Sequence, residues 1–247
     1  MNKTKHLLAF FFFVIACMEE RPRLAEYVAY QVFRPLQIDG QADEEEWATA
    51  IWYPIDQFWI GKPVPPEDFS GKFKLLWHEE HLYLLVEIVD DTLVDFHEDG
   101  LKFYWNDDCL EIFLDENHSG GKHYDNHNAF AYHVATNGNV VDIGKDGNPL
   151  YLNEHILSSR STNGKKTIWE LRISVFDKSF DERLKFNSPV KLYEGKKIGF
   201  ALAYCDNDYS KERENFIGSV PILGKEKNVA YLYADVFGTL YLKRRKT

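Results

Sequence analysis

The segment Trp105-Asn106-Asp107-Asp108-Cys109-Leu110-Glu111-Ile112-Phe113-Leu114-Asp115 gathers the side chains best suited to chemistry. An indole stands just before an acidic turn that leads into a strand. Sugars are bound by such sets. The C–H face of a pyranose lies on the indole, and carboxylates and amides accept hydrogen bonds from its hydroxyls. Trp105 and Glu111 lie six residues apart, about 20 Å if fully extended at roughly 3.3 Å per residue. They share one ligand only if Asn106–Asp108 turns the chain back, which that composition permits. Otherwise Trp105 is a loop residue tucked over the edge of the fold. Glycoside hydrolysis would need two carboxyls about 5 to 9 Å apart across a cleft. Asp107, Asp108 and Glu111 are candidates, but nothing singles out an acid in an apolar pocket with a base beside it. There is no nucleophile elbow, phosphate-binding loop or dinucleotide fingerprint.

Other clusters point to metals. Asp90-Asp91, Asp107-Asp108 and Asp206-Asn207-Asp208 could donate oxygens to calcium at strand ends, or be solvated acidic turns. No spacing resembles an EF-hand loop. His118, His123, His127 and His133 lie close in the sequence, but without the helical spacing of a metalloprotease. The two Met are Met1 and Met18, outside the expected fold, so only a bis-His heme would remain, and heme is not expected.

The elements that must position these groups are strands. Period-two alternation bounded by Gly, Asn and Asp marks Phe73–Trp77, His81–Val89, Leu110–Leu114, Phe130–Thr136, Thr167–Ser174, Ile198–Tyr204 and Thr239–Leu242. Turns fall at Asn137-Gly138-Asn139, Asp146-Gly147-Asn148 and Asn163-Gly164. One short helix is expected after Gly40, with Asp43 as cap, Glu46 three residues on, and Trp47, Ala50 and Ile51 facing inward. Many short strands in 247 residues predict one domain, a sandwich or an open barrel. Alternation also assigns faces. Cys109, Glu111 and Phe113 share one face, as do Ala131, His133 and Ala135, and Ala201, Ala203 and Cys205. If these strands are neighbours, their small residues make a shallow trough holding Glu111 and His133. A second layer filling that trough is the competing expectation.

Composition narrows the partners. The formal net charge of -10 argues against nucleic acid, which is gripped by cations. Aromatic residues are 15%, enough for a β core and for a ligand-stacking surface. Lys3 and Lys5 precede the apolar run Leu7–Ala16, too short to span a bilayer, which reads as a secretory signal. Val14-Ile15-Ala16-Cys17 resembles a bacterial lipobox, with Cys17 lipidated. The expected organisation is a signal peptide at 1–16, an anchor linker at 17–31 and a binding domain at 32–247, attached to a membrane only through its lipid. Met18-Glu19-Glu20 resembles the surface-export signal of Bacteroidetes lipoproteins. Cys109 and Cys205 read as small buried residues, and a disulfide between them stays open outside the cytoplasm.

Six segments, in order, resemble a family 9 carbohydrate-binding module. They are Ile38–Trp47 (IDGQADEEEW), Leu75–Asp91 (LLWHEEHLYLLVEIVDD), Asp108–Asn117, Trp169–Val175 (WELRISV), Ile198–Asp208 (IGFALAYCDND) and Phe237–Leu242 (FGTLYL). The resemblance implies an antiparallel β-sandwich with bound calcium that grips the ends of sugar chains between aromatic platforms. It places Trp105 as one platform and Glu111 as a sugar-binding carboxylate. His133 stands where the family would carry an Arg. Phe216 is the one ring in Lys211–Pro221 (KERENFIGSVP) for the opposing platform, so the second stack is expected to be weaker. Asp91 and Asp108 match the calcium positions best. The implied function is non-catalytic capture of oligosaccharide or polysaccharide ends, outside the cytoplasm and assisting glycoside hydrolase or transporter partners. The alternatives are an interaction module on the same fold and, behind it, a glycoside hydrolase.

Overall fold

The computed structural model describes residues 24–245. The signal segment and the proposed lipidation site Cys17 lie outside the described residues. Among the described residues, no helix is long and apolar enough to cross a membrane.

The strands are β1 (Glu26–Gln31), β2 (Tyr53–Ile55), β3 (Gln57–Ile60), β4 (Phe69–His78), β5 (His81–Asp90), β6 (Cys109–Asp115), β7 (Phe130–Ala135), β8 (Val140–Ile143), β9 (Pro149–Tyr151), β10 (Ile156–Asn163), β11 (Lys166–Ser174), β12 (Lys197–Asp206), β13 (Asn215–Gly218) and β14 (Gly238–Lys243). They form one curled sheet in the order β10-β11-β5-β4-β1-β14-β12-β6-β7-β8-β9, with β2 beside β4 and β13 bridging β12 and β3. The curl brings β4 and β5 against β12. Phe69 stacks on Tyr204 at 5.4 Å between centroids, and Phe73 meets Phe200 at 5.8 Å. Each such buried ring contributes on the order of 1.5–3 kcal/mol by leaving water. The expected antiparallel sandwich is present.

One strand departs from it. β1 pairs parallel with both β14 and β4, and so joins the two halves of the sheet. Residues 26–31 of the expected 17–31 linker therefore belong to the sheet. Buried Tyr27 and Ala29 alternate with partly exposed neighbours too briefly to signal a strand.

The segment after Gly40 also differs from the expected capped helix. It forms a single 3-10 turn, Glu45–Thr49, preceded by Glu44, and no side chain caps it. Glu46 instead pairs with Arg34 at 2.7 Å. Trp47 turns inward as expected, whereas Ile51 stays exposed. Buried Glu170 on β11 holds the segment, accepting hydrogen bonds from Trp47 Nε1 (3.0 Å) and Gly40 N (2.8 Å). Gly40 has φ +82°, and a Cβ there would meet the Arg160 backbone at 3.0 Å, so only glycine fits.

Glu170→Ala should leave these donors unpaired and lower stability by about 1–3 kcal/mol, read as a fall of several degrees in Tm. An unchanged Tm would show that Glu170 does not anchor the segment.

Candidate functional site

Strand register builds the floor of the site. β6 lies between β12 and β7, and Glu111 sits opposite Ala203 on one side and His133 on the other. The row Ala203–Glu111–His133 thus lies on one face, with Cys205–Cys109–Ala135 and Ala201–Phe113–Ala131 flanking it. The trough is filled at one end, where Trp59 and Phe237 pack on Phe113 at 5.8 and 5.5 Å. At the other end it opens into a cavity of about 340 Å³ lined by Trp105, Glu111, His133, Asp142, Arg213 and Tyr231, among others.

Glu111 is buried there, and a carboxylate in such a place needs positive partners. His133 Nε2 lies 3.1 Å from Glu111 Oε2, and Arg213 Nη1 lies 3.6 Å from the same oxygen. His133 Nδ1 also lies 3.3 Å from the Ala131 carbonyl, which can only accept. Both ring nitrogens therefore face acceptors, the arrangement that suits an imidazolium. Burial pulls the His133 pKa down, but attraction and hydrogen bonding to Glu111 outweigh it, and the net direction is up.

The acidic turn does bring Trp105 back to Glu111, since both line the cavity. Trp105 is 39% exposed, with its edge packed against Tyr104 at 5.0 Å. Phe216 does not serve as the opposing ring. It is 1% exposed, meets Trp59 edge-on at 5.0 Å, and lies beneath the Arg213 guanidinium at 3.9 Å. On β13 the inward positions are core, so Phe216 supports Arg213 instead of a ligand. Tyr124 and Tyr231, 6.0 Å apart, also line the cavity, and no periodic pattern marks them. Arg213 adds a guanidinium beside His133 on the same Glu111 oxygen. Asp142 is a further lining carboxyl, pushed by burial to about 6. The hydrolase candidates Asp107 and Asp108 do not line this cavity. Asp107 accepts hydrogen bonds from Phe96 N and His97 N at 3.1 and 2.8 Å. Asp108 accepts from Val94 N and Asn207 N at 2.5 and 2.9 Å.

The histidines disperse to separate partners. His118 bonds Thr239, His123 donates to the Ala230 carbonyl, and His127 pairs with Glu182. Cys109 and Cys205 are buried, face one another across β6 and β12, and are free thiols.

Among the described residues, two carboxyl triads could hold metal. Asp90, Asp108 and Asp206 are buried, with oxygens within 4.8 Å of one another, and Asp68, Asp91 and Asp208 form a second, more exposed group. Asp91 and Asp108 thus fall in different triads. Asp208 Oδ1 is buried with no hydrogen-bond partner. A donor set of oxygen alone, with an orphaned carboxylate oxygen beside it, fits a hard cation such as calcium. Burial, then mutual repulsion, pushes Asp108 to about 9 from the usual 3.8. Burial likewise raises Asp206 to about 7 and Asp90 to about 6.

A family model described as "Carbohydrate family 9 binding domain-like" matches residues 38–245. The chain belongs to this family. Among solved structures, the domain is similar to a family 9 carbohydrate-binding module from Caldicellulosiruptor kristjanssonii. In its complex with cellotriose that module gives a TM-score of 0.65 at 20% identity, covering 90% of this chain and 95% of that one. In its complex with glucose it gives 0.64 at 20% identity, covering 90% and 97%. A putative carbohydrate-binding protein from Bacteroides uniformis ATCC 8492 gives 0.60 at 13% identity, covering 89% and 100%. At these identities the likeness shows the fold. A search of curated proteins found no match.

The raised carboxyls fix a sign. A group whose pKa is higher folded than unfolded stabilises below its unfolded pKa and loses that contribution as pH rises through the folded value. In chelator, the family 9 domain should lose stability as pH climbs from about 4, through 6 and 7, to about 9. His133 acts in the same direction. Chemical denaturation at stepped pH measures this, and stability that rose across that window would contradict it.

Proposed function

We propose that this family 9 domain binds carbohydrate without catalysis, capturing the end of an oligosaccharide or polysaccharide at the Trp105–Glu111 cavity. The observation that carries this reading is an exposed indole beside a buried carboxylate and a guanidinium in one concavity. A pyranose offers a flat C–H face to the first and hydroxyls to the others. The Caldicellulosiruptor module of similar fold is described in complex with cellotriose and with glucose, which supports the same ligand class here. Tyr231 or Tyr124 would oppose Trp105 in place of Phe216.

Calcium at Asp90, Asp108 and Asp206 would neutralise the carboxyl cluster and fix the loops it joins. Added calcium would then abolish most of the pH dependence described above. The lipobox at Cys17 and the acidic pair after it support a protein anchored outside the cytoplasm by lipid, delivering sugar to a hydrolase or transporter.

The test is intrinsic fluorescence titrated with mono- and oligosaccharides. A response should appear with at least one sugar class, and Trp105→Ala should weaken binding about tenfold or more, the equivalent of roughly 1.4 kcal/mol. Silence across a broad glycan panel would favour an interaction module on the same fold. Release of reducing ends would favour a hydrolase.

A further inference from the structure

The cavity over Glu111 ends at Trp105, but the indole is also one wall of a second, more open cleft of about 540 Å³. Phe96, Phe103 and Tyr209 form that cleft with Trp105, and Asn106, Ser210 and Glu212 supply polar atoms around them. The three rings are 55%, 53% and 69% exposed. Phe96 and Tyr209 form a tilted pair 5.6 Å apart between centroids, Phe103 meets Trp105 edge-on at 6.0 Å, and the two pairs line the same cleft as an aromatic shelf.

Two features separate this shelf from chance surface apolarity. Phe103 and Tyr209 have φ of +56° and +69°, a left-handed conformation that bulky residues rarely adopt. Burial does not compensate for it, since both rings face solvent. Strain held without a packing gain gathers at functional sites. The loops carrying the rings are also fixed. Buried Asp107 holds the amides of Phe96 and His97. Buried Asn207 donates to the carbonyls of Asn106 at 2.6 Å and Ser210 at 3.1 Å, tying one loop to the other. A preformed surface of this kind binds without a further ordering penalty.

The ligand chemistry follows from continuity. A cavity of about 340 Å³ is at the small end for ligand sites, so a longer chain must leave it, and the shared indole leads onto the shelf. Aromatic faces edged by hydroxyl, amide and carboxylate groups suit successive pyranose rings.

We propose that Phe96, Phe103 and Tyr209 form a second sugar subsite, continuous with the cavity across Trp105. The ligand is then an oligosaccharide whose terminal unit sits over Glu111 and whose next units lie on the shelf. This rests on the sugar-binding reading of the cavity.

Calorimetry with mono- to tetrasaccharide ladders of β-linked glucose, xylose and mannose tests it, on the wild type and on the double variant Phe96→Ala/Tyr209→Ala. Both residues are exposed, so an unchanged Tm serves as the folding control. In the ladder that binds, wild-type affinity should rise about tenfold or more from mono- to tetrasaccharide. The double variant should lose most of that rise, with monosaccharide affinity kept within about twofold, as expected for stacking contributions of this size. A flat wild-type ladder, or a rise the variant retains, overturns the subsite while leaving the cavity reading intact. A shelf that serves a protein partner would also give the flat ladder. No binding by the wild type in any ladder overturns both.

Discussion

A carboxylate buried in the middle of a β-strand governs the site. Glu111 points to the small-residue face of β6, and an unpaired charge in such a place would be expelled or would unfold its surroundings. Its oxygen instead meets His133 from the neighbouring strand and Arg213 from the loop before β13. Those contacts fix the register. A slip of one residue along β6 would turn Glu111 into the core and Leu110 or Ile112 into the trough. The small residues Ala203 and Ala131 leave room above the carboxylate, and Trp105 walls that space because the acidic turn folds back on the strand.

The carboxyl cluster acts on the same loops from below. Asp108 accepts hydrogen bonds from Val94 and Asn207, and thereby joins the loop bearing Phe96 to the loop bearing Tyr209 and Arg213. Phe216 completes the support, since its ring lies under the Arg213 guanidinium. A residue expected to touch ligand thus holds the cation that lines the cavity. Sandwich core, carboxyl cluster and cavity form a connected stack, in which the strands set the row and the loops set the walls.

The sequence was most informative where period-two alternation is long. The strands that contain Glu111, His133 and Cys205 were legible, and so was their shared small-residue face, because side-chain direction follows strand parity. The short parallel strand β1 was not, since it alternates over too few residues and its partners lie far away in sequence. Arg213, Tyr124 and Tyr231 were missed because loops carry no period, and their convergence depends on tertiary contacts such as Asn207 to Asn106. Phe216 was misplaced for the same reason, since the residues around β13 read as loop while its ring belongs to the core. The left-handed backbone at Phe103 and Tyr209 has no signature in residue type, as neither is glycine or asparagine.

The most direct measurement is a crystal structure of the protein grown with calcium and the oligosaccharide that gives the strongest fluorescence response. The account predicts a pyranose ring lying flat on the Trp105 indole, with hydroxyls about 3 Å from Glu111 or Arg213. A sugar bound elsewhere with the indole left bare, or Glu111 turned out of the cavity, would contradict it.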